Sequence, residues 1–395
     1  MSNLPTIRPE EAGFSVERLE RINAVLRDHV DRGRLAGAVT MLSRFGKVAH
    51  FSAVGMRDPA TGENLQTDAL FRCYSMTKPI VSTMIMMLVE RGQLLISDPV
   101  AKYIPAFAST KVAVKRDGVL TLEDQARPMT VQDLLRHTSG LSYEFLAMPE
   151  LQQMYMDARI FRRNWTSMEH AEALAQLPLN SQPGTQWDYG RSTDILGTIV
   201  EVVTGSSLGD ALREHIFDPL GMDDTGFYVP EGSLHRLAEP LPQDPDTGEA
   251  VKLLDVTKPV QFESGGGGLV SSAMDYARFI QMIQNGGVLG STRLLSRKTV
   301  SFMASNHLPE GTPVGSDLLP PGHGFGLGFA VRTHDGLAPS PGGAGQFFWS
   351  GIAGTTFWID PEEEFFALLM IQVPPNQREE YRHLFRNLAY GAFGD

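Results

Sequence analysis

A chain of 395 residues can hold two or three average domains, or one large domain carrying an insertion. Its composition, 42% hydrophobic and 20% charged, is that of a folded globular protein. A formal net charge of −12 argues against nucleic acid or an anionic membrane as the main partner, because both select basic surfaces.

The first residues, Met1-Ser2-Asn3-Leu4-Pro5, lack a basic start followed by an apolar stretch. No apolar run approaches the length of a bilayer span. The expectation is a cytoplasmic protein. Residues 15–32 read as an amphipathic helix, capped by Ser15 and striped by Leu19, Ile22, Leu26 and Val30. Residues 36–43 and 48–54 read as strands of a hairpin joined by Arg44-Phe45-Gly46-Lys47. Cys73 is the only cysteine, so no internal disulfide forms, and its apolar setting suits packing better than reactivity.

Ser75-Met76-Thr77-Lys78 follows. A serine hydroxyl is unreactive at neutral pH until a neighbour takes its proton. A lysine one helical turn on shares the serine's face. The run 79–94 is apolar nearly all round and reads as a buried helix. Desolvation there is expected to lower the lysine toward the range useful for proton transfer. Of eight lysines, only Lys78 has a serine three residues before it. The competing reading is a capping serine followed by a lysine that reaches for solvent.

From 76 to 225 the pattern is mostly helical, with breaks at Pro105, Gly140, Pro183-Gly184 and Gly205. Within it, Gln186-Trp187-Asp188-Tyr189-Gly190-Arg191-Ser192 precedes a helix over 193–203. A tyrosine on such a turn can act as a base if a neighbouring ammonium stabilises its phenolate. Residues 227–262 are polar and irregular, and Gly265-Gly266-Gly267-Gly268 leads into a helix from Ala273. Strands are expected over 325–332, 354–359 and 365–373, then a closing helix over 376–393. Between them lies Phe347-Phe348-Trp349-Ser350-Gly351-Ile352-Ala353-Gly354, whose small residues let backbone amides approach a ligand.

These three segments, in this order and at these separations, resemble the serine β-lactamase and penicillin-recognising enzymes. The resemblance is nearest to class C β-lactamases and family VIII carboxylesterases and covers nearly the whole chain. Supporting segments are His137-Thr138-Ser139-Gly140-Leu141, Ile216-Phe217-Asp218-Pro219-Leu220-Gly221-Met222 and Gly324-Phe325-Gly326-Leu327-Gly328-Phe329. The resemblance implies an α+β, β-lactamase-like fold. Its antiparallel sheet is built from both chain ends and flanked by helices, with a mostly helical inserted region. The sheet region would be 1–75 with 265–395, the helical region 76–264, and the active site the cleft between them. It also implies that Ser75 is the nucleophile, Lys78 its activating partner and Tyr189 the base or proton relay. The backbone amides of Ser75 and Ile352 would form the oxyanion hole, and Phe348, Trp349, Ser350 and Gly351 would bind substrate.

Two positions depart from the β-lactamase pattern. Trp349 stands where those enzymes carry the lysine of Lys-Thr-Gly, whereas family VIII esterases often carry Trp-Gly-Gly. Arg191 stands at the asparagine of Tyr-x-Asn. Both changes favour neutral esters over penicillins, and a short-chain ester is the expected substrate. Phe347, Phe348, Trp349 and residues 148–156 are candidates for an apolar pocket. The expected activity is a serine carboxylesterase acting on a small-molecule ester, with no cofactor. No metal-ligand spacing such as H-E-x-x-H or C-x-x-C appears. Acyl transfer to an alcohol or amine, β-lactam or D-amino-peptide hydrolysis, and a non-catalytic binding role are the alternatives. A rival nucleophile lies in Gly205-Ser206-Ser207-Leu208-Gly209, which matches G-x-S-x-G, with His215 or His323 available to complete a triad. That motif requires a strand before it, and the preceding segment reads as helix, so Ser206 or Ser207 is expected to cap the next helix.

Overall fold

Phe365–Ile371 is apolar at every position because both faces of the strand it forms are covered. Phe365, Ala367, Leu369 and Ile371 enter one hydrophobic cluster together with Leu19, Ile22, Leu26, Tyr381 and Phe385. Phe366, Leu368 and Met370 enter another, with Ile80, Tyr276, Phe279 and Ile280. The two-residue period of a pleated strand sorts them. Each large side chain so buried contributes about 1.5–3 kcal/mol.

The computed structural model describes residues 4–315 and 318–394. Its main sheet comprises β1 (Gly37–Arg44), β2 (Lys47–Asp58), β3 (Glu63–Asn64), β4 (His323–Phe325), β5 (Ala330–Arg332), β6 (Phe347–Ser350), β7 (Thr356–Asp360) and β8 (Phe365–Ile371). The spatial order is β4-β5-β6-β7-β8-β1-β2-β3, antiparallel throughout. β8 lies beside β1, with Ala38 opposite Ile371 and Arg44 opposite Phe365. The two ends of the chain therefore build one sheet, as expected. Helices α1 (Val16–Asp31) and α5 (Arg378–Gly391) contribute to the first cluster. Helices α2 (Thr77–Glu90), α3 (Ser192–Thr204) and α4 (Ala273–Gln284) contribute to the second. Among the described residues no single helix is long and apolar enough to cross a membrane.

Local chemistry explains the turns. Ser15 caps α1 by accepting from the Arg18 N–H. The β1–β2 turn places Phe45 at φ +55° and Gly46 at φ +74°, the pair of positive values that a two-residue hairpin needs. The expected strand over 325–332 is instead two strands. Gly328, at φ +95°, reverses the chain, and the Gly326 N–H donates to the Phe329 carbonyl. The helical middle also contains a hairpin, Val112–Arg116 with Val119–Glu123, turned at Asp117-Gly118. That dipeptide is a hairpin signal which helical periodicity alone overlooks. Gly205 ends α3 at φ +72°, and Ser207 caps the helix Leu208–Leu212 by accepting from the Asp210 N–H at 3.1 Å. The G-x-S-x-G segment is thus a helix stop and a helix start, with no strand before it.

At the N-terminus of α4, Asp275 accepts from the Asp224 N–H at 2.7 Å and the Thr225 hydroxyl at 3.1 Å. Burial still pushes its carboxyl up to about 6, from 3.8. The folded state therefore holds this proton more tightly than the unfolded chain. Its stabilising contribution is complete below about pH 4 and is lost as pH rises through about 6, a change of about 3 kcal/mol at ~1.4 kcal/mol per pH unit. Melting curves from pH 4 to 7 should show Asp275→Asn gaining on the wild type as pH rises. Two curves that stay parallel would refute the assignment.

Candidate active site

The chain reaches Ser75 through a sharp turn. Leu70–Arg72 pairs with Val270–Ser272, and the Cys73 N–H donates to the Leu269 carbonyl. Tyr74 then takes φ +47°, a left-handed conformation that costs a non-glycine residue about 1–3 kcal/mol. Its hydroxyl accepts from the Leu254 N–H at 2.8 Å, which ties the turn to the irregular 227–262 region. A 3-10 turn, Tyr74–Met76, runs into α2. The residue at the cap of α2 is Met76, and no side chain caps it, so Ser75 is not a capping serine.

Lys78 is 1% exposed and its ammonium has three acceptors. It donates to Ser75 Oγ at 3.1 Å, to the Tyr143 hydroxyl at 3.0 Å and to the Gly266 carbonyl at 2.7 Å. The Tyr189 hydroxyl lies 2.7 Å from Ser75 Oγ, and Lys78 Nζ sits 4.6 Å from the centroid of the Tyr189 ring. Ser75, Lys78 and Tyr189 are therefore brought together. Gly266, from the Gly265–Gly268 run, joins them through its carbonyl, and Tyr143 joins them without having been picked out from the sequence. Tyr143 lies two residues beyond the His137–Leu141 segment, with no local pattern to single it out.

The sequence-based expectation for Lys78 is reversed. Burial does pull the ammonium down, but electrostatic and hydrogen-bond interactions with the Tyr143 and Tyr189 hydroxyls outweigh it and raise the lysine above its ordinary value. Lys78 is thus a cation at neutral pH. His137 packs its ring 4.8 Å from that of Tyr189, yet burial and then the Lys78 charge hold it well below the usual imidazole range. It is a neutral packing group. Burial likewise pushes the Cys73 thiol up, and the residue is fully buried, in keeping with a packing role.

Gly351 explains how β6 meets the serine turn. A Cβ at this position would lie 2.4 Å from the Cys73 carbonyl oxygen and 2.3 Å from Thr355 Oγ1, so only glycine permits the approach. Arg382 of α5 donates to the Gly351 carbonyl at 2.5 Å from the other side. Gly351 is consequently a joint, absent from the cavity wall where a substrate contact was expected. Ile352 follows it on the wall, and no acceptor within the described protein takes its N–H.

Ser75 opens into a cavity of about 730 Å³. Phe348, Trp349 and Ser350 line it, as do Tyr143, Phe145, Phe161 and Tyr189. Trp349 packs 5.2 Å from the Tyr189 ring. Two pocket expectations fail. Phe347 alternates into the core against Phe329, and residues 148–156 lie off this wall, Tyr155 and Met156 lining a neighbouring recess. Arg191 is 3% exposed and donates to Glu144 at 2.7 Å. Despite burial, Asp194 and Glu144 keep it charged. Its charge is directed to these carboxylates and to the faces of Tyr143 and Phe161. Across the cavity, Arg378, Arg382 and Arg386 of α5 add cations that no sequence motif flagged. Among the described residues no group of histidine, cysteine or carboxylate side chains could hold a metal ion.

An eight-stranded antiparallel sheet with flanking helices, and a serine turn hydrogen-bonded to lysine and tyrosine, define the serine β-lactamase-like hydrolases. The chain belongs to the β-lactamase family, whose model matches residues 22–391, and it is a serine hydrolase. It is 32% identical over 362 residues to Esterase EstB of Burkholderia gladioli, covering 86% of each chain. Its fold is similar to that of EstCE1, described as a hydrolase with promiscuous acyltransferase activity, at TM-score 0.80 and 25% identity, covering 96% of this chain and 99% of that one. Simvastatin synthase (LovD) from Aspergillus terreus shares the fold at TM-score 0.79 and 24% identity, over 95% of this chain and 98% of that one.

Proposed function

We propose that the protein is a carboxylesterase working through an acyl-enzyme on Ser75. The observation that carries this reading is the Ser75 oxygen held at once by Lys78, at 3.1 Å, and by Tyr189, at 2.7 Å. Tyr189 takes the Ser75 proton, and the Lys78 ammonium stabilises the negative charge this requires on the tyrosine oxygen. Ser75 Oγ attacks the ester carbonyl. The Ser75 and Ile352 amides receive the oxyanion, aided by the N-terminal end of α2. The alcohol departs, and water releases the acid. The division into a sheet region, 1–75 with 265–395, and a helical region, 76–264, with the site at their junction, belongs to the same proposal.

Trp349 in place of a lysine leaves no strand cation beside the reacting carbonyl. This supports esters that are neutral and short at the acyl end. Acyl transfer to an alcohol is the second reading, favoured by the similarity to EstCE1. Intact-protein mass spectrometry after treatment with an organophosphonate tests the first. One adduct is expected, on Ser75. An unmodified folded protein would favour a binding role instead. Product analysis of a p-nitrophenyl ester in water with added alcohol separates hydrolysis from transfer.

A further inference from the structure

Tyr143 differs from the other two acceptors of Lys78. Its oxygen accepts the ammonium proton, yet among the described residues its own O–H has no acceptor. The ring is half-buried, stacked 5.4 Å from Phe145 at an interplanar angle of 7°, and the residue lines the cavity beside Ser75. Burial, against the pull of Lys78, pushes the phenol up to about 12, so it keeps its proton at neutral pH. A hydroxyl whose oxygen accepts from a cation is a strengthened donor. The hydroxyls of Tyr143 and Ser75 share Lys78, so they are no farther apart than two hydrogen bonds laid end to end. In the tetrahedral intermediate the leaving oxygen is bonded to the same carbon as Ser75 Oγ, so it stands only two bonds from that oxygen.

We propose that Tyr143 is a further catalytic residue, the proton donor to the leaving alkoxide. The step rests on the Ser75 acyl-enzyme reading. Ser75 gives its proton to Tyr189 as its oxygen bonds to the carbonyl carbon. When the bond from that carbon to the alcohol oxygen breaks, the electron pair stays on the oxygen, which takes the Tyr143 proton. Lys78 reprotonates Tyr143 and recovers a proton from Tyr189. The sum is serine plus ester giving acyl-serine plus alcohol. The device serves esters of aliphatic alcohols, whose alkoxides leave poorly without a proton, more than esters of nitrophenol, which leaves well as an anion.

The test compares kcat/KM, which reports acylation, for wild type and Tyr143→Phe on ethyl butyrate and p-nitrophenyl butyrate. The acyl group is the same in both. Loss with the ethyl ester should be on the order of a hundredfold, and far greater than the loss with the nitrophenyl ester. Equal losses would overturn the proposal and leave Tyr143 as an anchor for Lys78; no loss on either would overturn it too. Phosphonate labelling of Ser75 in the same proteins keeps the two readings apart. A labelled Ser75 with equal losses defeats only the Tyr143 step, while an unlabelled wild type defeats the acyl-enzyme reading itself. If Tyr143→Phe does not fold, 3-fluorotyrosine at 143 keeps ring and hydroxyl and lowers the phenol's proton affinity. The alkaline limb of the ethyl-ester profile should then move to lower pH, and an unmoved limb counts against the proposal.

Discussion

Ser75→Ala is expected to reduce kcat for ester hydrolysis on the order of 10⁶-fold, the scale of loss when a serine nucleophile is deleted from an intact site. The hydroxyl accepts from Lys78 and meets Tyr189, and among the described residues no other serine is held by this pair. Ser207→Ala supplies the contrast. Ser207 caps the helix Leu208–Leu212 through the Asp210 N–H, so its loss should cost about 1 kcal/mol of stability and leave kcat where it was. Steady-state kinetics and thermal melts of both variants check the pair. Activity that survives in Ser75→Ala and vanishes in Ser207→Ala would transfer the nucleophile to the G-x-S-x-G segment.

Lys78→Met should have the next largest effect. Methionine fills a similar volume but removes the cation that supports charge on the Tyr189 oxygen. The expected loss in kcat is about 10²–10⁴-fold, the range for removing a partner in general acid–base catalysis, with KM changing far less. Stability should change by no more than about 1–3 kcal/mol, because relief of the buried charge is opposed by the loss of the donor to the Gly266 carbonyl and the Tyr143 hydroxyl. Lysine burial tuned for catalysis and not for stability would show as an inactive variant with a Tm close to that of the wild type. Because Lys78 is raised above its ordinary value, wild-type activity should show no alkaline loss from this group in the accessible range. A variant of low Tm and unchanged kcat would make Lys78 structural.

Much of this was legible in the chain. Ser75 and Lys78 are one helical turn apart, and their juxtaposition needs only local helix geometry. The sheet from both ends was legible because its strands carry strong period-two or fully apolar patterns, β8 above all. Tyr189 was different. It is one of nine tyrosines, and only its place in a larger resemblance drew attention to it. Tyr143 and the Gly266 carbonyl carry no sequence signature of a role, since any tyrosine or backbone oxygen could fill it. The pocket was the least legible part. Phe347 and Phe348 are adjacent and apolar, and only the pleat decides which faces the core and which the cavity.

By itself the sequence pointed to Ser75 and Lys78 as a candidate pair and gave most helix and strand periods and the helix ends at Ser15, Gly205 and Ser207, because these follow from contacts a few residues apart. The tertiary structure alone decided the charge state of Lys78. Burial considered in isolation drives a lysine toward neutrality. Here folding sets two phenols against the buried ammonium, one from residue 143 and one from residue 189, and their combined pull exceeds the cost of desolvation. That balance depends on groups far apart in the chain, so no local pattern could have contained it.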